Sequence, residues 1–301
     1  MSASASGAAD LRAIAALIAG AVLIGFAPIF VRLTDVGLTA CAFWRTLLAL
    51  PVLAVLMWRQ TGGVRIKPGI VWLLLAGAMF AGDLVFWHQS LHFSSVANAT
   101  LITNLAPVFV TLASFLFYGE RFRPLFIGGI ALALSGAAVL MSNSLQLSAG
   151  HLRGDVLALI SAVFYAGYLL GVSRARQRHG AMEVMFWATL SSTILLFVIG
   201  NALGDNFWPQ SARGWSVLVA LALLSHVAGQ GLIAWALAHL SAAFSAVGLL
   251  VQPVAAAAFA WLLLAEPFGA RQALGGAIVL AGIVSCRLAM PAPPKRPEMA
   301  V

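Results

Sequence analysis

Charge is what this 301-residue sequence has least of: Asp, Glu, Lys and Arg together make up 9% of it, where a water-soluble domain carries about a quarter. That shortage excludes an ordinary globular enzyme or binding module folded in water. Cysteine is nearly absent, with only Cys41 and Cys286, which excludes a disulfide scaffold and a thiolate metal cluster. The six histidines are scattered. No phosphate-binding loop of the G-x-x-x-x-G-K-[ST] kind occurs, so ATP hydrolysis by this chain is excluded as well.

What is present is apolar. Hydrophobic residues make up 62% of the chain and the mean hydropathy is +0.99. A hydrocarbon core about 30 Å thick takes roughly 20 residues of helix to cross. Ten such stretches are read, near 12–33, 38–58, 70–91, 94–118, 122–142, 154–174, 182–201, 213–236, 241–265 and 269–289. They are continuously apolar rather than alternating, which points to helices and away from a barrel. The expected fold is an all-α polytopic membrane protein with ten transmembrane helices. Residues 1–9 and 291–301 are small, polar or Pro-rich and are expected to form disordered tails around halves at 10–146 and 147–290. The start lacks the basic region, short apolar core and cleavage site of a signal peptide, so the first span is expected to be retained.

The two halves repeat one another. Aligning Pro107 with Pro253 sets an offset of 253 − 107 = 146, which also superposes Glu120 on Glu266, Phe122 on Phe268, Gly129 on Gly275 and Gly136 on Gly282. Each half holds five spans, an odd number, so the second enters the membrane from the opposite side. Such inverted-topology five-helix repeats let one fold open alternately to either face around a midplane site.

The net charge of +8 is distributed by topology. With the amino terminus inside, the inner segments carry Arg12, Arg59, Arg65, Lys67, Arg121, Arg123, Arg174, Arg176, Arg178, Arg287, Lys295 and Arg296, which is 12 of the 17 basic residues. The outer loops hold only Arg32, Arg153, Arg213 and Arg271, and Arg45 lies within the second span. The positive-inside rule therefore puts both termini in the cytoplasm, with the protein in a bacterial inner membrane. The basic excess faces lipid, and no nucleic-acid partner is expected. Under this topology Cys41 and Cys286 fall near opposite faces and read as small apolar packers.

A span ending in Ser90-Leu91 or Ala236-Leu237, a tight link, a small-residue span with a central Pro107 or Pro253, a terminal Glu120 or Glu266 and a Gly-rich span together resemble the drug/metabolite transporter superfamily. The halves look like its EamA-type repeats, over about residues 10–290. The resemblance implies ten helices in a five-plus-five inverted arrangement and metabolite export. Within the superfamily the chain is most similar to exporters of aromatic amino acids.

Helical spacing shows which polar groups share a face. In the fourth span these are Thr100, Thr103 or Asn104, Pro107, Thr111 and Ser114, with Asn98 just before them; in the ninth they are Ser241, Ser245, Gly248 and Gln252. Both stripes fit cavity lining, and both fit helix-to-helix hydrogen bonding. Pro107 and Pro253 each remove a backbone hydrogen bond, as a hinge or as a static kink. Asp83 is the one carboxylate well inside a span; it fits an ion pair with Arg45, proton coupling, or binding of a substrate amine. Trp87 shares its face, Ser161, Tyr165 and Tyr168 align on the sixth span, and His226 aligns with Gln230 on the eighth. Rings for a body and polar groups for a zwitterionic head suit an aromatic amino acid, and ordinary packing suits the same residues. Trp58, Trp72, Trp208 and Trp215 lie near span ends as interfacial anchors. Glu120 and Glu266 fit helix capping, pairing with nearby arginines, or a gate. Gly129, Gly136, Gly275 and Gly282 fit close helix packing.

His88 and His92 have the spacing of a zinc-binding HExxH, but position 89 is Gln and no general base follows. An intramembrane aspartyl protease needs two facing aspartates. The reading is therefore an inner-membrane exporter of amino acids, aromatic or apolar, working by alternating access. A broader drug or metabolite exporter, or a membrane-embedded enzyme with a His/Asp site, is the alternative. No catalytic residue, cofactor or metal is expected; the partners are a small-molecule substrate and the bilayer, in a monomer or weak oligomer.

Overall fold

The apolar runs form helices of bilayer-crossing length. The computed structural model describes residues 2–63, 69–94, 96–142, 152–265 and 269–290; Arg65, Lys67, Glu266, Phe268, Lys295 and Arg296 lie outside them. Among the described residues ten helical spans are long and apolar enough to cross a membrane, in two five-span repeats of opposite topology. α5 (Ile70–Ser90) and α8 (Pro124–Met141) in the first repeat and α9 (Leu152–Ala175) in the second are single helices. So are α10 (Ala181–Leu203) and α15 (Ala270–Ala289).

The other five spans are interrupted. The first consists of α1 (Ser2–Ile24) and α2 (Ala27–Leu33), the second of α3 (Leu38–Leu47) and α4 (Leu50–Thr61), the fourth of α6 (Val96–Thr103) and α7 (Ala106–Tyr118). The ninth consists of α13 (Ala242–Gly248) and α14 (Val251–Leu264). Each of these breaks is followed within three residues by a proline, Pro28, Pro51, Pro107 or Pro253, whose ring and missing N–H interrupt the i→i−4 ladder. The eighth span runs from α11 (Ala212–Ala220) through a π-helical segment, Leu221–Gln230, into α12 (Gly231–Ala236). Residues 2–9 continue α1 rather than forming a tail; they are Ser and Ala with one Gly and no proline, good helix material.

The repeat is visible in the backbone. The offset of 146 maps the start of α8 at Pro124 onto residue 270, where α15 begins. It also maps Gly119 onto Ala265, and both close their helices in the left-handed region, at φ 67° and 54°. Glycine takes that conformation freely, whereas alanine does so at a cost.

α8 and α15 form the most extensive helix pair, and the four repeat glycines are the reason. A Cβ on Gly129 would stand 2.6 Å from Cys286 Sγ, and one on Gly136 2.8 Å from the Gly275 carbonyl. A Cβ on Gly282 would meet Ala133 N at 2.5 Å. In lipid, where helices gain nothing from leaving water, such close backbone approach is what drives association. Both cysteines are buried and unbridged, Cys286 donating to the Phe126 carbonyl at 3.3 Å. Trp58, Trp72 and Trp208 are exposed at span ends, whereas Trp215 packs edge-on against Trp44 at 4.8 Å between centroids and so holds two spans together.

Ten spans leave both termini on one face. On that side α7 packs against α13, while toward the other face α6 leans on α9 and α14 on α1 and α2. The remote loops are tied to one another: Asp205 accepts from Ala40 N at 2.9 Å, and Asp35 accepts from Ser211 Oγ at 2.9 Å.

Candidate binding cavity

The breaks of the first, fourth and ninth spans meet at one cavity, in the half of the bundle remote from the termini. Gly25, Ala27 and Pro28 line it from the first span, Asn104, Ala106 and Pro107 from the fourth, and Leu249, Leu250, Gln252 and Pro253 from the ninth. A proline in each kink turns the chain, so that three spans present their bends and not their sides. The π-helical turn supports the first bend: Ser225 Oγ donates to the Leu23 carbonyl at 3.1 Å, beside the end of α1. π-Helical turns of this kind recur at functional sites.

Asp83 and Trp87 project from α5 into the cavity, together with Thr100, Tyr165, Gln230 and Gln252. Asp83 is 8% exposed and accepts a hydrogen bond from Ser161 Oγ at 2.7 Å. The expected ion pair with Arg45 is absent. Arg45 lines the same cavity, but the two groups do not come within 4 Å, and the guanidinium lies instead over the Phe80 ring, 5.6 Å from its centroid. The sequence gives their common depth, each seven residues from the same span end (90 − 83 and 45 − 38), but not their separation across the bundle.

Three of the expected lining residues stand behind the wall. Tyr168 is 2% exposed and donates to Gln230 Oε1 at 3.3 Å. His226 pairs with Thr189 Oγ1 at 2.8 Å and stacks beside Phe80 at 5.5 Å. Ser245 is fully buried in α13. Shared helical spacing puts residues on one face, yet a face spans two neighbours, and these side chains take the inner one. The side chain of Asn98 lies outside the described residues. Glu120 sits at the end of α7 away from the cavity; among the described residues its carboxylate meets no donor, and the cap of α7 is made by backbone, Glu120 N to the Ser114 carbonyl at 3.2 Å. Partial burial holds its carboxyl above the ordinary value. Neither capping by Glu120 nor its pairing with arginine is therefore seen, and Glu266 lies outside the described residues. Among the described residues no group of three potential metal ligands forms.

The sequence matches the EamA-like transporter family over residues 11–142 and again over 152–287. The chain belongs to that family. One match falls on each half, and with the ten spans it makes the protein a membrane transporter. A pseudopaline exporter, CntI, of Pseudomonas aeruginosa is 29% identical over 78% of this chain and 80% of its own length. A probable terminal-alkyne amino-acid exporter of Streptantibioticus cattleyicolor is 31% identical over 62% of each chain. A solved crystal structure, 20% identical, superposes with a TM-score of 0.79 over 94% of this chain and 98% of the other, which shows the same fold.

Sequence reasoning missed Arg45 and Phe80 as cavity residues, along with the first-span bend. Gly25 and Pro28 carried a signal for that bend. Thr103 and Asn104, read as a stripe that fits cavity lining or helix-to-helix bonding, both line the cavity.

Proposed function

We propose that this transporter exports a small amino acid or a close relative, with an aromatic or apolar side chain, by alternating access. The observation that carries the reading is Asp83, held by Ser161 and facing a cavity lined also by Trp87, Phe80 and Tyr165. A carboxylate that forms no ion pair within the protein suits a substrate ammonium, and the rings suit an apolar body. The names of the two relatives, both exporters and one of an amino acid, support it. Purified protein in sealed proteoliposomes is expected to exchange radiolabelled phenylalanine or leucine for the same compound, recovered unmodified. Uptake no faster than in empty vesicles across a panel of amino acids would overturn the reading, and uptake of unrelated drugs alone would favour the broader exporter.

Export requires an orientation, and the reading is that both termini lie in the cytoplasm of a bacterium, at the inner membrane. Arg176 is a poor labelling site because it is half-buried and donates to the Ala234 carbonyl at 2.9 Å; Arg178 and Arg213 are exposed. With Cys41 and Cys286 replaced by Ala, Arg213→Cys is expected to react with an impermeant maleimide in intact cells, and Arg178→Cys only after permeabilisation. The reverse pattern would invert the orientation and turn the exporter into an importer.

A further inference from the structure

We infer that Arg45 is the anchor for a carboxylate on the transported molecule; the inference rests on the transport reading above and narrows its substrate class. Arg45 is 6% exposed, seven residues (45 − 38) into the second span, at a depth of about 10 Å for a rise of 1.5 Å per residue. A buried guanidinium at such a depth is costly and is normally matched by an acid or by carbonyls. Here it has neither. Its Nε is enclosed and has no hydrogen-bond partner, and no ion pair joins it to Asp83, whose Oδ1 is taken by Ser161.

What lies against Arg45 is the face of Phe80, which accepts no conventional hydrogen bond. Phe80 lies beneath the guanidinium, and Tyr168 and His226 pack on Phe80 at 4.8 and 5.5 Å. The cation is attracted to the ring face, while its planar fork of donors stays free for a ligand. That fork matches a carboxylate in two parallel hydrogen bonds, which an ammonium of lysine cannot do. Two further amide donors without partners, Asn104 Nδ2 and Gln252 Nε2, border the same cavity. The cavity thus offers a cation that forms no ion pair and, on α5, a carboxylate, the complement of a zwitterion.

The cargo must then carry a carboxylate, and loss of that group leaves buried donors unmet, a large penalty in a site built around them. Matched pairs test this in the wild-type protein: phenylalanine with phenylalaninamide, and leucine with leucinamide, as substrates for exchange in proteoliposomes. The acids are expected to be preferred by at least about tenfold. Arg45→Gln is expected to bring the acids down to the level of the amides, and Arg45→Lys to keep part of the preference. Amides transported as well as acids by the wild type would overturn the inference and leave the export reading standing, even where Arg45→Gln does not fold. A folded Arg45→Gln protein with an undiminished preference would also overturn it. Transport of neither acids nor amides would defeat the export reading, and the anchor with it.

Discussion

Asp83→Asn is expected to weaken amino acid binding by about thirtyfold or more, the consequence of losing ~2 kcal/mol or above when one member of a buried charge pair is neutralised. Asn has nearly the same shape and keeps an acceptor for Ser161 Oγ, which donates to Asp83 at 2.7 Å, so the charge is removed and the wall is retained. Ser161→Ala removes one hydrogen bond and is expected to cost only about 0.5–1.5 kcal/mol, a few-fold to tenfold in affinity. Isothermal binding or competition in proteoliposomes measures both. An ion pair with Arg45 makes a different forecast: Asp83→Asn would lower thermal stability by about 3–5 kcal/mol, and a second change, Arg45→Gln, would restore part of it. Because the two groups form no ion pair, only a small restoration, from their longer-range attraction, is expected. A carboxylate that couples protons forecasts a third pattern, in which exchange survives in Asp83→Asn and only the response to a pH gradient disappears. Normal affinity, stability and gradient response in the folded variant would remove Asp83 from the mechanism altogether.

The parts of this structure legible in the sequence are those fixed by the bilayer and by duplication. Hydropathy runs located ten spans because a helix must stay apolar for the thickness of the membrane, and the observed spans overlap all of the runs read. The offset of 146 carried the start of α8 onto that of α15, since duplicated sequence keeps its helix-starting signals. The close packing of Gly129, Gly136, Gly275 and Gly282 followed from their spacing on one face. Azimuth across the bundle was not legible. Asp83 and Arg45 share a depth, which sequence position sets, but their separation depends on how the second and third spans rotate against one another. The same limit explains Tyr168 and His226, which share faces with Tyr165 and Gln230 and yet bond behind the wall. The π-helical turn has no periodic signature over its single stretch, Leu221–Gln230, and emerges from the fit of the eighth span against the end of α1.

Pro107→Ala and Pro253→Ala are each expected to slow exchange about tenfold, equivalent to ~1.4 kcal/mol on the barrier, while substrate affinity changes by less than about twofold. Both prolines line the cavity at a bend, and the halves on either side of each bend have different neighbours. α7 packs against α13 on one side, whereas α6 packs on α9 and α14 on α1 and α2. In the alternating-access reading proposed above, α7 would leave α13 as α6 approaches α14, each half-helix turning about its own break. The bend at Pro253 is already satisfied without a regular ladder: Gln252 N donates to the Leu249 carbonyl at 2.9 Å, the oxygen to which an N–H at position 253 would bond. Alanine supplies that N–H and draws the segment toward a straight helix, which favours one arrangement of the two halves and raises the cost of passing to the other. The two substitutions lie in different repeats, so the double variant is expected to be slower than either single one. Single-turnover flux alongside equilibrium binding separates the effects. Unchanged flux in both single variants would make the bends architectural, and equal losses in flux and affinity would make them part of the binding surface.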